Sequence, residues 1–271
     1  MKAKKRFGQN FLKNDNIIKK IISANDIKNN VVIEIGPGMG ALTKHLVDAK
    51  AFFAFEIDTS LKPHLNEIIL NKPNAKIIYK DILEIDLNNF LKENNISECI
   101  LIANIPYYIT GPILKLIIDT QIIKEATLMM QKEVGDRILS TGGKTYGSLS
   151  VLLGYRYDIF KVTNVKNTSF YPVPKVDSVV LKFIRNDKYI NTIKDEEKFI
   201  KFVKSSFLQK RKTLVNNLVS SYKISKEKVI ENLKEIEADF NIMKRAENVS
   251  IERFITFSNG WKYDWKSLCK N

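Results

Sequence analysis

The stretch Val31–Val47, VVIEIGPGMGALTKHLV, decides the fold of this chain. Its first five residues form a β-branched apolar run, three glycines follow, and an apolar pattern at helical spacing begins at Ala41. Strand, glycine turn and helix in this order make up the first part of a nucleotide-binding βαβ unit. We therefore predict an α/β fold with a parallel sheet, and a ligand site at Gly36 and Gly38.

Three further apolar runs end in polar residues. They are Ala51–Phe55 followed by Glu56, Lys76–Tyr79 followed by Lys80 and Asp81, and Cys99–Ala103 followed by Asn104. Because the carboxyl ends of parallel strands meet at one edge of a sheet, we expect these polar side chains to lie close together. An acid about twenty residues after the first glycine binds ribose hydroxyls, which favours Glu56, with Asp58 as a nearby alternative.

The spacing of the glycines argues against a hydride-transfer enzyme. Dinucleotide-binding loops read Gly-x-Gly-x-x-Gly, whereas the loop from Gly36 to Gly40 reads Gly-Pro-Gly-Met-Gly and has its third glycine one position early. With Glu34 just before it, the loop resembles the S-adenosylmethionine-binding motif of Rossmann-like methyltransferases.

The segment Asn104-Ile105-Pro106-Tyr107 predicts chemistry on an aromatic amine. The lone pair of such an amine is delocalised into the ring and must be localised before it attacks an electrophile. The side-chain oxygen of Asn104 and the carbonyl of Ile105 are suited to accept its two hydrogens, with no general base. Pro106 favours an extended Ile105, and Tyr107 offers a face on which a base stacks. Alone, the segment is better explained as a strand that ends in a turn, and it is the polar ends of the other strands that favour a site.

Motifs along nearly the whole chain resemble those of the ribosomal RNA adenine dimethyltransferases. They are, in order, Arg6–Leu12, Glu34–Gly38, Asn104–Tyr107, Gln131–Val134, Tyr146–Val151, Pro174–Ser178, Gln209–Thr213 and Arg245–Ser250. The last of them favours the bacterial housekeeping branch over the sister branch that methylates 23S ribosomal RNA and confers macrolide resistance. The resemblance implies dimethylation of two adjacent adenosines near the 3′ end of 16S ribosomal RNA in the small (30S) subunit, and a role in subunit maturation.

The same resemblance implies the roles of individual residues. Those expected to contact S-adenosylmethionine are Asn10, Leu12, Gly36, Gly38, Glu56, Asp81 and Asn104. Phe170 is expected to stack on the target base opposite Tyr107, although by itself it is more typical of a core aromatic that anchors a proline-rich loop. Tyr108, Thr110 and Gly111 depart mildly from the common pattern.

The charge of the chain indicates an RNA partner. The formal net charge is +14 and the isoelectric point is near 9.5, and clustered cations attract phosphates. The residues predicted to contact RNA are Lys4, Lys5, Arg6, Lys210, Arg211 and Lys212. Many other lysines are explained by an AT-rich genome and by solvation.

The numbers and positions of the cysteines and histidines limit which chemistry and which cellular setting the sequence allows. Cys99 and Cys269 lie far apart in sequence, and we expect a cytoplasmic monomer with no signal peptide, membrane span or metal site. His45 and His64 fall in helical patterns and are expected to be surface or packing residues. Cys99 precedes an apolar run and is expected to be buried, which disfavours a cysteine nucleophile acting on a pyrimidine carbon.

We predict two domains. Residues 1–185 form a Rossmann-like, class I S-adenosylmethionine-dependent methyltransferase domain with a basic N-terminal segment, and residues 186–271 form a small helical domain that contributes to RNA binding. The strand–helix alternation continues with helices at 114–118, 133–140 and 148–156 and strands at 126–131, 158–165 and 176–184. Ser225 and Ser250 are predicted N-caps of later helices. Two other classes stay open, namely methylation of DNA or small-molecule amines and a non-catalytic ribosome-assembly factor.

Overall fold

The computed structural model describes residues 3–4 and 7–264. The strands are β1 Phe11–Leu12, β2 Val31–Ile35, β3 Ala51–Phe55, β4 Ala75–Ile78, β5 Cys99–Asn104, β6 Ile123–Gln131, β7 Tyr157–Val165, β8 Phe170–Tyr171 and β9 Ser178–Arg185. The helices are α1 Asp15–Ser23, α2 Thr43–Leu46, α3 Lys62–Ile69, α4 Leu87–Glu93, α5 Thr110–Asp119, α6 Lys132–Ile138, α7 Ser148–Gly154, α8 Glu196–Ser206, α9 Leu214–Tyr222, α10 Lys226–Ile236 and α11 Ile251–Gly260. None of the helices in these described ranges is long and apolar enough to cross a membrane.

A seven-stranded sheet organises the first part of the chain. Its strand order is β4-β3-β2-β5-β6-β9-β7. Neighbouring strands from β4 to β6 run parallel, and β9 runs antiparallel to β6. The strands β2 and β5 lie inside the sheet and are buried along almost their whole length, which explains why their sequences are continuous apolar runs. The predicted Rossmann-like α/β fold is confirmed.

The register of the sheet aligns the ends of its inner strands. Ile35 at the end of β2 pairs with Phe55 at the end of β3 and with Ala103 of β5. The residues that follow, Gly36 and Glu56, therefore leave the sheet level with Asn104. Three polar or glycine positions far apart in sequence meet at one edge because the strands are parallel and in register.

A second, two-stranded sheet was not predicted. The strands β1 and β8 pair antiparallel, with Phe11 opposite Tyr171 and Leu12 opposite Phe170. Leu12 and Phe170 both belong to the buried apolar cluster around the main sheet. Each strand has two residues, too few to give a periodic pattern in the sequence. This pairing holds residues 11–12 beside the loop that carries Phe170.

The chain divides into two compact units whose boundaries differ from the expected domains. The first unit contains residues 1–135 and 158–185, and the second contains 136–157 and 186–271. Segment 136–157, predicted to belong to the first domain, groups with the C-terminal helices. The ring of Tyr155 lies edge-on to that of Phe199 at 4.9 Å between centroids, and the guanidinium of Arg156 is paired with the carboxylate of Glu196. These contacts explain the grouping.

The second unit is built from helices around an aromatic core. Phe202 lies 5.3 Å from Trp261 and 6.5 Å from Phe254 between ring centroids. Ser225 and Ser250 accept hydrogen bonds from the backbone of Lys228 and Arg253, so both predicted N-caps are confirmed. The C-terminal region is helical, as predicted. The two caps and the buried face of α8 account for these helices.

Gly135 in α6 provides a test of packing against the sheet. A methyl group added at this position would lie 2.2 Å from Cγ1 of Val179, which is completely buried in β9. We expect Gly135→Ala to lower the free energy of unfolding by about 1–3 kcal/mol because the core must shift. Urea denaturation followed by circular dichroism measures this change.

Gly111 in α5 is the matched control, because nothing lies within 4 Å of the corresponding methyl position there. Gly111→Ala should leave stability unchanged or raise it by up to about 1 kcal/mol through helix propensity. Equal effects of the two substitutions would contradict the packing argument.

Candidate active site

One cleft lies at the carboxyl edge of the parallel strands. Every residue predicted to bind the cofactor or to act on the target lines it. These residues are Asn10, Leu12, Gly36, Gly38, Glu56, Asp81, Asn104, Ile105, Pro106, Tyr107 and Phe170. The structure thus brings together positions that are spread over 160 residues of sequence.

The glycine loop forms the floor of the cleft with its backbone. Gly36 and Gly38 have φ angles of +68° and +57°, a region that side-chain-bearing residues rarely adopt. Apart from its chain neighbours, no atom of the described residues lies within 4 Å of the position that a Cβ on Gly36 would take, so this backbone faces open space in the cleft. A side chain there would fill the space where a ligand approaches.

Glu56 holds the glycine loop and the start of the next loop. One carboxylate oxygen accepts from the N–H of Gly38 at 3.0 Å, and the other accepts from the N–H of Asp58 at 2.8 Å. Burial raises the pKa of Glu56, and the two backbone hydrogen bonds partly oppose this shift. The side chain is 4% exposed and lines the cleft, whereas the alternative Asp58 does not.

Glu34 is a second buried carboxyl at the cleft. It is 2% exposed, and burial raises its pKa to about 8, although a hydrogen bond from the Thr43 hydroxyl at 2.8 Å opposes the shift. The negative charge of Glu56 adds to the shift.

Asp81 also borders the cleft, and one of its oxygens accepts from the N–H of Leu83 at 2.9 Å. This bond fixes the direction of the Asp81 side chain.

Asn104 is oriented by the N-terminal part of the chain. Its side-chain nitrogen donates to the carbonyl oxygen of Asn10 at 3.2 Å. Within residues 3–4 and 7–264, no group donates a hydrogen bond to Oδ1 of Asn104 or to the carbonyl oxygen of Ile105. The N–H of Ile105 donates to the carbonyl of Met129 at 3.1 Å, which fixes the peptide. Two hydrogen-bond acceptors on consecutive residues are therefore available at the cleft.

Aromatic side chains complete the cleft. The hydroxyl of Tyr107 lies 2.9 Å from Oγ of Ser178, and burial raises the pKa of Tyr107. Phe170 is 3% exposed and both belongs to the core cluster and lines the cleft, so it fits the core role and the site role together. Tyr108 is 58% exposed and packs against Gly8 at the rim.

Several residues of the cleft were missed by sequence reasoning. They are Phe7, Gly8, Gln9, Phe11, Met39, Ile57 and Ile82. The first four lie in the motif Arg6–Leu12, which was noted only for its resemblance. Seven consecutive residues that resemble the family's motif are the sequence signal that could have placed this segment at the cleft.

The predicted RNA-binding residues fall into three groups. Lys210, Arg211 and Lys212 are exposed between α8 and α9, and none forms an ion pair with any of the described residues. Lys4, in contrast, lies with its ammonium 2.6 Å from Oδ1 of Asp58 and has a partner within the chain that the sequence did not predict. Lys5 and Arg6 lie outside the described residues.

Cys99, the cysteine that the structure describes, is not among the residues that line the cleft. Cys99 is completely buried in β5, and burial raises the pKa of its thiol to about 12. Cys269 lies outside the described residues. In residues 3–4 and 7–264, no cluster of three histidine, cysteine or acidic side chains suited to a metal ion occurs.

Comparison with known proteins agrees with this geometry. Residues 1–260 match the family model described as ribosomal RNA adenine dimethylase. A protein named ribosomal RNA small subunit methyltransferase A from Aster yellows witches'-broom phytoplasma is 46% identical over 264 residues, covering 95% of this chain and 96% of the relative. The protein of the same name from Fusobacterium nucleatum is 42% identical over 260 residues, covering 94% of this chain and 96% of the relative.

Two solved structures share the architecture. A dimethyladenosine transferase from Plasmodium falciparum superposes with a TM-score of 0.75 at 29% identity, covering 91% of this chain and 95% of that one. The 23S rRNA methyltransferase ErmE superposes with a TM-score of 0.70 at 23% identity, covering 93% of this chain and 99% of that one, which supports the fold. Since the family model spans the sheet, the cleft and the helical unit alike, the chain belongs to the ribosomal RNA adenine dimethylase family.

Proposed function

We propose that this protein transfers methyl groups from S-adenosylmethionine to the exocyclic amines of two adjacent adenosines near the 3′ end of 16S ribosomal RNA. The observation that carries the proposal is the pair of available acceptors, Oδ1 of Asn104 and the carbonyl oxygen of Ile105, inside a cleft with a glycine floor. Relatives that share 42–46% of their residues with this chain are named for the small ribosomal subunit, which supports the choice of RNA.

The residues of the cleft fit S-adenosylmethionine. The open space at Gly36 admits the amino-acid part of the cofactor close to the backbone. The carboxylates of Glu56 and Asp81 supply acceptors for ribose hydroxyls and for an adenine amine, and Ile57 and Ile82 supply apolar surface. When bound, the cofactor supplies a methyl group on a positively charged sulfur as the electrophile.

Asn104 and Ile105 prepare the adenine amine for attack. Because the amide nitrogen of Asn104 is engaged by the carbonyl of Asn10, its oxygen faces the other way and is available to the substrate. When both hydrogens of the amine are bound by these two oxygens, the nitrogen lone pair leaves conjugation with the ring and points out of its plane. The chain thereby raises the nucleophilicity of the amine by orientation.

Tyr107 and Phe170 hold the base. Both rings line the cleft, and each is fixed, Tyr107 by its hydrogen bond to Ser178 and Phe170 by the pairing of β8 with β1. An adenine removed from its RNA stack regains stacking on such rings. Rigid aromatic walls also keep the amine at the same distance from Asn104 in each turnover.

The partner that we propose is 16S ribosomal RNA within the 30S subunit. The net charge of +14 and the exposed cluster of Lys210, Arg211 and Lys212 support contacts with phosphates by the domain predicted at residues 186–271. We also propose that the protein acts as a cytoplasmic monomer during subunit maturation. The family's other activity, methylation of 23S ribosomal RNA, is the alternative, as is an assembly factor that binds without methylating.

One experiment separates these possibilities. Purified protein is incubated with labelled S-adenosylmethionine and small subunits that lack the modification, with large subunits in a parallel reaction, and products are mapped by mass spectrometry. We expect dimethyladenosine at two adjacent positions near the 3′ end of 16S ribosomal RNA. Label in 23S ribosomal RNA would favour the sister activity, and binding of small subunits without label would favour the assembly factor.

Replacement of Asn104 tests the role of its oxygen. We expect Asn104→Ala to lower the single-turnover rate by on the order of a hundredfold or more and to change affinity for subunits little, because the acceptor acts on the amine in the transition state. Asn104→Asp retains an acceptor, so the expected order of rates is wild type, aspartate, alanine.

The two methyl transfers provide an internal control for Asn104. A monomethylated amine has one hydrogen left, so Asn104 and Ile105 no longer both have a partner and the second transfer should respond differently from the first. Resolving mono- from dimethyladenosine measures this difference. An alanine variant that makes both products at wild-type rates would remove Asn104 from the mechanism.

Neutralising the basic cluster tests RNA binding. We expect simultaneous replacement of Lys210, Arg211 and Lys212 by glutamine to weaken subunit binding and to flatten its salt dependence. The slope of the logarithm of the binding constant against the logarithm of the salt concentration should fall by roughly one unit or less for each phosphate that the variant no longer binds. Filter binding at several salt concentrations measures both quantities.

Three exposed lysines of α10 form a matched control with the same change of charge. They are Lys226, Lys228 and Lys234. If the control lowers the slope as much as replacement of the cluster does, the effect reflects overall charge and the cluster has no specific contact with RNA.

A further inference from the structure

Asp58 is a buried carboxylate with an unusually complete set of partners. It is 3% exposed. Its Oδ1 accepts from the ammonium of Lys4 at 2.6 Å and from the N–H and hydroxyl of Ser60 at 3.1 and 2.7 Å, and its Oδ2 accepts from the side-chain amide of Gln9 at 2.9 Å. The backbone N–H of Lys4 donates in turn to Oε1 of Gln9 at 2.8 Å. Lys4, Gln9 and Asp58 therefore form a closed ring of hydrogen bonds.

This ring is the anchor of one wall of the cleft. All six residues from Phe7 to Leu12, here called the N-terminal segment, line the cleft. At one end the segment is tied to Asp58 through Gln9, and at the other end β1 pairs with β8. Between these attachments, the carbonyl of Asn10 accepts the hydrogen bond from Asn104. The position of the segment therefore determines the orientation of the Asn104 amide.

Asp58 also connects this wall with the glycine loop. Its backbone N–H donates to Oε1 of Glu56 at 2.8 Å, and the other oxygen of Glu56 holds Gly38. A displacement of the loop at Asp58 would therefore reach both the N-terminal segment and the carboxylate that faces the ribose site. Long side chains such as lysine and glutamine lose much rotamer freedom when they are fixed, so the contacts must be favourable enough to offset that loss.

We propose that Asp58 is a positioning residue, whose side chain holds the N-terminal segment against the cleft so that the cofactor site is closed and Asn104 is aligned. The proposal rests on the proposed function for the identity of the cofactor. It assigns Lys4 to this anchor rather than to RNA.

The ionisation of Asp58 agrees with this role. Burial acts to raise its pKa, but hydrogen bonds from Lys4, Ser60 and Gln9 outweigh burial and lower the pKa to about 2. The side chain is therefore an anion at neutral pH, and hydrogen bonds to an ionised acceptor are stronger than those between neutral groups.

Asp58 also caps the short turn Thr59–Leu61, and a test must separate that role from the anchor. Asp58→Asn does so, because asparagine is an equally good N-cap through its remaining oxygen. The new amide nitrogen would instead face the side-chain nitrogen of Gln9, and two donors form no hydrogen bond. The negative charge opposite Lys4 is removed as well.

The experiment uses two readouts on the full-length protein without RNA. Calorimetry measures affinity for S-adenosylmethionine, and hydrogen exchange followed by mass spectrometry measures protection of backbone amides in the N-terminal segment before cofactor is added. We expect Asp58→Asn to weaken cofactor affinity by about tenfold and to speed exchange in the segment. Gln9→Ala should act in the same direction, and the double variant should bind cofactor no more weakly than Asp58→Asn alone.

Asp48→Asn is the matched control. Asp48 also lies 2.6 Å from a lysine, Lys72, but the pair is exposed and does not line the cleft. This variant should bind cofactor and exchange as the wild type does.

Unchanged exchange in Asp58→Asn, or faster exchange with wild-type affinity, would overturn the proposal. Failure of the wild-type protein to bind S-adenosylmethionine would contradict the proposed function instead. The exchange comparison needs no cofactor and would still decide whether Asp58 holds the segment.

Discussion

The structure of the site depends on the parallel register of the inner strands. Ile35 pairs with both Phe55 and Ala103. The glycine loop, Glu56 after β3, and Asn104 therefore lie at the same level of the sheet edge. A slip of one residue in any of these strands would reverse which side chains face the core and would move one group away from the other two. The complete burial of Val32, Ile33 and Ile100 makes such a slip costly.

Besides the strand register, the site needs backbone segments around the cleft that the sheet alone does not provide. The glycine loop reaches its path through positive φ angles, and its position is held by Glu56. The N-terminal segment, which also lines the cleft, is held by a hydrogen bond to Asp58, which lies about fifty positions away in sequence. The same segment supplies the carbonyl that orients Asn104. The binding surface and the reacting groups are therefore connected by a short chain of hydrogen bonds.

The sequence predicted those features that local pattern determines. Strands β2 and β3 have the predicted bounds and β6 ends at the predicted residue, since apolar runs and polar ends are local signals. The pairing of β1 with β8, the grouping of segment 136–157 with the helices and the Lys4–Asp58 contact were not predicted. Each of these depends on contacts between residues far apart in sequence, for which a single sequence carries no periodic signal.

The environment of the cleft is consistent with the proposed mechanism, in which methyl transfer needs no general base. Both carboxylate oxygens of Glu56 accept backbone hydrogen bonds, and Glu34 is held by Thr43 with a pKa of about 8, so neither is arranged to remove a proton from the substrate. None is needed before the bond forms, because the lone pair of an amine is the nucleophile. The new carbon–nitrogen bond makes the nitrogen cationic and strongly acidic, and its proton then passes to water. In the proposed mechanism, orientation by Asn104 and Ile105 is therefore the main contribution of the chain to the rate.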